Sequence, residues 1–256
     1  MPRAQGAPQS PIIVIPARMA ATRLPQKPLA DIGGVPMIVH VLNRARTAGL
    51  GPVAVACDDT RIAQAVRAAG GSAVLTRADH ASGSDRIAEA LASLDPQGEH
   101  DLVINLQGDL PLIDPAAIVA CADLLGDGVT DIGTLVAPIT DPSERENPHV
   151  VKAVLDLPKA DAGTGTALYF TRAAAPSGEG PLWHHIGIYA YRRAALERFV
   201  SAPPSLLERR ERLEQLRAYA LGLRITAAII DAAPLGVDTA ADLDAARAVY
   251  AQSQGQ

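Results

Sequence analysis

Cysteine is nearly absent from this chain: its 256 residues hold two, Cys57 and Cys121. Two thiols without metal-ligand spacing leave no zinc site and no disulfide framework, so both read as reduced and buried. Long apolar runs are missing too. No stretch approaches the roughly 20 residues that span a bilayer, and membrane insertion is not expected. Residues 1–10 mix Pro, Gly, Gln and one Arg without an apolar segment, which reads as a disordered lead-in to a cytoplasmic protein and not as a secretion signal. An excess of cations is lacking: 23 Lys and Arg against 28 Asp and Glu give a formal charge of −5, so a nucleic-acid partner is not expected. Neither G-x-G-x-x-G nor G-x-x-x-x-G-K-[ST] follows the first apolar run, which disfavours a dinucleotide redox enzyme and a P-loop NTPase. No internal repeat occurs, and no linker is long enough to force separate domains.

What is present describes an α/β globule. Hydrophobic residues make up 48% of the chain and charged residues 20%, an ordinary balance for a folded domain with a substantial core. Strand-like runs at 11–15, 53–57, 73–75 and 102–106 alternate with helical patterns at 37–48, 61–69 and 87–94. That alternation predicts a Rossmann-like, mostly parallel sheet flanked by helices. The nearly continuous apolar run Asp101-Leu-Val-Ile-Asn-Leu106 fits a strand covered on both faces. After a helix at 115–125 the pattern loosens. Strands at 131–138, 150–156, 167–171 and 186–191 lack regular intervening helices, which predicts a smaller antiparallel part. Helices at 192–200 and 206–221, a strand at 224–230 and a helix at 240–251 complete the reading. Residues 11–256 are thus expected to form a single domain.

The chemistry-bearing residues cluster at strand ends. The loop after the first strand carries Arg18, Arg23 and Lys27, placed to hold an anion at the carboxyl end of the sheet, with a nucleoside triphosphate as the natural guest. Alone, such a loop serves equally well as a solvated cationic turn. Asp109 closes the 102–106 strand in Gln107-Gly-Asp109, and Asp238 lies in Gly236-Val-Asp-Thr239. One or two carboxylates suffice for Mg²⁺ when substrate oxygens and water complete its shell. Asp238 could instead cap the final helix, and Asp109 could serve only a turn. The small polar groups from Asp79 to Arg86 could read a base edge or merely cap a helix; His80 reads as structural.

The wording of several segments is familiar. Ile15-Pro-Ala-Arg-Met-Ala-Ala-Thr-Arg-Leu-Pro-Gln-Lys-Pro-Leu29 resembles the opening signature of the 3-deoxy-manno-octulosonate (Kdo) cytidylyltransferases, the CMP-Kdo synthetases. Thr76-Arg-Ala-Asp-His80 through Arg86, Asn105 to Asp109, Ala167 to Arg172, His185-Ile-Gly-Ile-Tyr189, Leu213-Glu-Gln-Leu-Arg217 and Gly236-Val-Asp-Thr239 continue the likeness. These seven blocks stand in family order from about Pro11 to the C-terminal helix. The resemblance implies a fold of the nucleotide-diphospho-sugar transferase type, with residues 131–191 forming the sugar-binding and dimerisation part of a homodimer. It implies transfer of CMP from CTP to Kdo for lipopolysaccharide synthesis, with Mg²⁺ as cofactor. Ala17, Arg18, Arg23, Lys27, Ser82, Gly83, Arg86 and Gln107 would contact the nucleotide. Arg18, Lys27, Asp109 and Asp238 would be catalytic, the two aspartates as metal ligands. Gln107, Arg172, His185, Tyr189, Glu214 and Gln215 would bind the sugar. On the residues alone, His185 and Tyr189 read equally as structural and core positions. Glu214 and Gln215, adjacent on one expected helix, would point about 100° apart.

Three departures from the family pattern stand out, one being a loop from Ser177 to Pro181 that is compact compared with many members and bears on how the acceptor is covered. Leu110 follows Asp109 where many members carry an acid, and Cys57-Asp58-Asp59 stands where Thr-Asp is common, with little effect on chemistry expected. Three other readings remain open. A synthetase for another acidic sugar, such as 8-amino-Kdo or a sialic-acid-like ulosonate, is the nearest. A metal-dependent glycosyltransferase is disfavoured because Asp242-Leu-Asp244, the D-x-D of this chain, falls in the last helix. A nucleotide-binding regulator without catalysis is the third.

Overall fold

β1 (Pro11–Ala17) buries five of its seven residues, as a strand must when helices cover both faces of its sheet. The structure, a computed structural model, describes residues 8–20 and 23–254. Of the lead-in expected at 1–10, residues 1–7 lie outside that range. Ser10 is held: its N–H donates to Asp101 Oδ1 at 2.8 Å, and its hydroxyl lies 3.1 Å from His100 Nδ1.

The chain divides into two compact units, one built from Ser10–Val119 with the segment starting at Pro234, the other centred on Ala120–Ala233. In the first, β1 leads through a 3₁₀ turn at Lys27–Leu29 to a short hairpin, β2 (Asp31–Ile32) and β3 (Val35–Pro36). Gly33 and Gly34 connect these strands with φ of 62° and 84°, a two-residue turn that only residues tolerant of positive φ can make. There follow α1 (Met37–Thr47), β4 (Val53–Cys57), α2 (Thr60–Ala68), β5 (Ser72–Leu75), α3 (Gly83–Leu94) and β6 (Leu102–Asn105). The four long strands pair in parallel in the order β5-β4-β1-β6. Successive strands run outward from β1 on one side, and β6 then returns to its other side. The gap between the ends of β1 and β6 is the topological switch point, where open α/β sheets bind ligands. Helix α4 (Pro115–Asp123) leads the chain into the second unit.

That unit contains β7 (Ile132–Pro138), α5 (Pro142–Arg145), β8 (Lys152–Asp156), β9 (Thr164–Thr171), β10 (Trp183–Arg192), α6 (Arg193–Ser201), α7 (Leu206–Glu211), α8 (Leu216–Ala220) and β11 (Ile225–Ile229). Its strands follow the order β10-β7-β11-β9-β8, with β8 pairing back to β10. All these pairings are antiparallel except β11 with β7. The mixed, largely antiparallel part expected from the sequence is present. Its strands β9 and β10 start three residues earlier than their apolar runs suggest, because Thr164-Gly-Thr and Trp183-His-His carry no strong apolar signal.

One expectation is corrected. Residues 206–221 do not form a single helix: Arg212 adopts left-handed backbone, φ 57° and ψ 46°, and ends α7. Glu214 falls in the break and Gln215 is the N-cap residue of α8, so the 100° helical offset between them does not apply. The run Leu206-Leu-Glu-Arg-Arg-Glu-Arg-Leu reads as uninterrupted helix because no Gly or Asn marks the turn. The break is held by a buried pair across it. Arg217 Nε and Nη2 donate to Glu208 Oε2 and Oε1 at 2.9 and 2.6 Å, while Glu208 also completes a capping box with Ser205.

The chain then re-enters the first unit through Pro234 and ends in α9 (Ala240–Gln254). Val237, Leu243 and Ala246 pack with Ile32 and Met37 in one buried cluster. This packing brings the segment between β11 and α9 beside the end of β6, where Val237 N–H donates to Asp109 O at 2.9 Å.

Candidate active site

The switch point opens into a cavity of about 310 Å³, lined by residues 16–18, 23, 27–28, 80–83, 86, 107–109 and 238. Its lining brings together Ala17, Arg18, Arg23, Lys27, Ser82, Gly83, Arg86, Gln107, Asp109 and Asp238. The volume lies at the lower end of the range for small-molecule sites.

Close backbone approach shapes this cavity. A Cβ on Gly108 would come 2.9 Å from the Pro16 carbonyl oxygen, so only glycine lets the turn after β6 lie against the end of β1. Ser82 caps α3: its hydroxyl oxygen accepts the Asp85 N–H at 3.1 Å and the hydroxyl donates to Asp85 Oδ2 at 2.8 Å. The N-terminus of α3 therefore faces the cavity with its orienting dipole. Gln107 donates to the buried Asn105 Oδ1 at 3.1 Å.

Lys27 is the electrostatic hub. Its ammonium donates to Asp109 Oδ2 at 2.9 Å and to Asp238 Oδ1 at 2.8 Å, and Arg23 donates to Asp238 Oδ2 at 3.0 Å. Burial pulls the Lys27 pKa down, but the Asp109 charge and the hydrogen bonds to both carboxylates outweigh it and leave the value raised. For Asp238 burial pushes the pKa up, yet the hydrogen bond and charge of Lys27, with the Arg23 charge, hold it below the usual carboxylate value. Asp242, on α9, fixes the Asp238 turn by accepting the Asp238 and Thr239 N–H groups at 3.0 and 2.8 Å. Asp242 acts as a brace that sequence reasoning did not single out.

Two carboxylates that share one ammonium can share another cation. Both offer hard oxygen ligands, the donor type Mg²⁺ takes. Among the described residues no group of three or more His, Cys, Asp and Glu side chains converges, so a divalent ion here would draw its other ligands from water and substrate. The donor set fits such an ion.

Other expected residues are committed to protein contacts. Arg86 is 3% exposed and donates to Thr76 Oγ1 at 2.7 Å, Arg77 O at 3.2 Å and Asp58 Oδ2 at 3.4 Å. His80 lines the cavity and contacts Glu89.

Apart from Gln107, which lines the cavity, the residues expected at the sugar lie in the second unit. His185 is buried, lies 3.1 Å from Thr134 Oγ1 and meets Phe170 edge-on at 4.7 Å. Burial lowers its pKa to about 3, with the neighbouring His184 adding to the effect, so the ring is neutral at pH 7. Tyr189 lies 5.5 Å from it, centroid to centroid, and burial, followed by the Tyr191 and Glu214 charges, raises the phenol pKa. A bulge between Ile186 and Tyr189 is stitched by Thr134, whose hydroxyl lies 3.2 and 2.8 Å from the Ile186 and Ile188 carbonyls. Bulges of this kind re-aim side chains beside sites. Arg172 donates to Glu211 O at 3.1 Å, Pro148 O at 2.8 Å and Arg212 O at 3.4 Å. The Glu211 carboxylate accepts from Thr171 Oγ1 at 3.1 Å and from the Arg172 N–H at 3.3 Å. Glu211 was another residue without a sequence signal. Glu214 Oε1 lies 3.9 Å from Arg217 Nη2, and Gln215 is buried.

A family model described as cytidylyltransferase matches residues 12–225. The chain belongs to the cytidylyltransferase family. This cytidylyltransferase is 64% identical over 243 residues to a 3-deoxy-manno-octulosonate cytidylyltransferase of Rhodospirillum centenum, covering 95% of this chain and 94% of the relative. It is also 64% identical over 239 residues to one of Methylobacterium radiotolerans, covering 93% and 96%. A solved CMP:2-keto-3-deoxy-manno-octonic acid synthetase complexed with CTP is similar with a TM-score of 0.88 at 41% identity, covering 96% of this chain and 100% of that one. The family resemblance carried by the seven sequence blocks is borne out. A nucleotidyl transferase from Methanothermobacter, 14% identical with a TM-score of 0.62, shares the fold. No helix among the described residues is long and apolar enough to cross a membrane.

Proposed function

We propose that this cytidylyltransferase transfers CMP from CTP to the anomeric 2-hydroxyl of Kdo, releasing pyrophosphate and supplying CMP-Kdo for lipopolysaccharide synthesis in the cytoplasm. The observation that carries the reading is the Lys27 ammonium held between Asp109 and Asp238 at the switch-point cavity. The likeness to a synthetase complexed with CTP supports the choice of nucleotide, and the names of the close relatives support the choice of sugar.

In this reading the nucleotide lies along Ala17, Ser82, Gly83 and Gln107, with Arg86 fixing the wall behind them. Arg18, Arg23 and Lys27 take the triphosphate. Asp109 and Asp238 hold Mg²⁺. When bound, the ion supplies charge neutralisation and lowers the pKa of the attacking hydroxyl. The sugar oxygen bonds to the α-phosphorus in line with departure of the β-phosphate oxygen; the hydroxyl proton passes to water and pyrophosphate leaves. Positioning and charge neutralisation dominate such transfers. Lys27, freed from the carboxylates, follows the negative charge onto the pyrophosphate, as a flexible point charge can. Gln107, Arg172, His185, Tyr189, Glu214 and Gln215 bind the sugar, with neutral His185 and Tyr189 offering hydrogen bonds and not charge.

Residues 11–256 act together as one nucleotidyltransferase, with 131–191 serving sugar binding and homodimer formation. Exposed Leu168 on β9 and Leu206 and Leu207 on α7 support an apolar contact between two copies.

Pyrophosphate release with Mg²⁺, each of four nucleoside triphosphates and a panel of acidic sugars tests the reaction. Rapid release is expected with CTP and Kdo. Release with CTP and only a different ulosonate would replace the acceptor, and silence with every pair would remove the catalytic reading.

A further inference from the structure

Asp58 directly follows β4, and its side chain, 8% exposed, is turned into the protein. Oδ1 accepts the Met19 backbone N–H at 2.8 Å, and Oδ2 faces Arg86 Nη2 at 3.4 Å, where the guanidinium is itself 4% exposed. Met19 follows Arg18 in the cationic loop, and Arg86 lines the cavity from α3. Thr76, at the end of β5, joins the network: its N–H and hydroxyl donate to Cys57 O at 2.8 and 3.2 Å, and its oxygen accepts from Arg86. One carboxylate thus ties together the segments following three neighbouring strands and the helix that faces the ligand.

A buried ion pair is a weak source of stability, because the cost of desolvating both charges rivals their attraction. What this one fixes is geometry. The adjacent acid makes the contrast: Asp59 is the N-cap of α2 and accepts the Arg61 N–H at 2.8 Å. Of two consecutive aspartates, one starts a helix and the other reaches the cavity wall.

We infer that Asp58 is a positioning residue for nucleotide binding. It holds the Met19 backbone, and through it the Arg18 side of the loop, in register with Arg86 and the start of α3. The cation loop and the opposite wall then meet the triphosphate already arranged, which spares the ordering cost of binding. The inference rests on the proposal that the cavity holds CTP.

Calorimetric binding of CTP and steady-state kinetics on three variants test it. Asp58→Ala is expected to raise the Kd and KM for CTP about tenfold or more while the KM for the acid sugar stays within about twofold. Asp58→Asn keeps an acceptor for Met19 but no charge for Arg86, and falls between. Asp59→Ala loses the α2 cap, lowers Tm and leaves both KM values in place, which separates positioning from general destabilisation. If Asp58→Ala does not fold, the CTP Kd of Asp58→Asn decides. A wild-type CTP Kd in a folded Asp58 variant, or an equal rise in both KM values, overturns the inference. Lys27→Met guards the reading beneath it. If that variant weakens CTP and the Asp58 variants do not, the inference alone falls; if Lys27→Met also binds CTP normally, the cavity is not the nucleotide site.

Discussion

Lys27 touches both carboxylates through one nitrogen and Arg23 pairs with Asp238, so two cations balance the two acids before any ligand enters. Lys27→Met is expected to act in two directions. It should lower kcat/KM by about 100-fold or more through loss of a phosphate cation. It should also tighten Mn²⁺ or Mg²⁺ binding to the nucleotide-free protein, since the competing ammonium is gone. Calorimetry or Mn²⁺ spin resonance measures the second effect, and weaker metal binding in the variant would show that the ammonium does not compete. His185 makes a pH prediction. Its folded pKa of about 3 lies below the ordinary histidine value of roughly 6.5, so between those values the unfolded chain binds the extra proton. The stability of the neutral ring is fully present above pH 6.5 and is lost as the pH falls toward 3. From pH 7 to 5 the wild type should lose about 2 kcal/mol more than His185→Gln in urea unfolding; parallel losses would mean that the ring is not held neutral.

Among the elements, the α7–α8 break positions Glu214 and Gln215 and stands on two features. Glu208 pairs with Arg217 across it, and removing one partner of a buried pair strands the other charge. Glu208→Ala should therefore cost about 3–5 kcal/mol. Arg212 carries a left-handed backbone that disfavours a side chain. Arg212→Gly should gain about 1 kcal/mol, and its carbonyl still serves Arg172. Thermal unfolding distinguishes the two, and destabilisation by the glycine would mean that the Arg212 side chain supports the turn. This break was illegible in the sequence because Arg has no preference that announces positive φ. The parallel strands were legible, since Ile12 to Ile15 and Leu102 to Leu106 are apolar runs too short for helices. The cavity followed from them: cations after one strand and Gly-Asp after another converge once the strand order is known. The Cys57-Asp58-Asp59 segment carried no expected chemical effect because adjacent aspartates look alike until the structure shows that only Asp59 caps α2. The reason for glycine at 108 was equally hidden, since it comes from the Pro16 carbonyl, which lies far away in sequence and leaves no room for a Cβ.

On the scale of the molecule, the exposed leucines of β9 and α7 place apolar surface on neighbouring segments of the second unit, which Glu211 links through Thr171. Sedimentation equilibrium is expected to give the mass of two chains, and Leu206→Asp to shift it toward one; a monomeric wild type at micromolar concentration would remove the dimer from the proposal. The first unit is discontinuous, with the whole of Ala120–Ala233 inserted between its parts. Asp109 leaves the ribosome long before Asp238, and the ammonium that both will neutralise is made earlier still. A nascent chain that has reached α4 owns the cations and one carboxylate but not the second. The order of synthesis therefore closes the switch-point cluster only after the whole of Ala120–Ala233 has been made, and no shorter chain holds both carboxylates beside the ammonium.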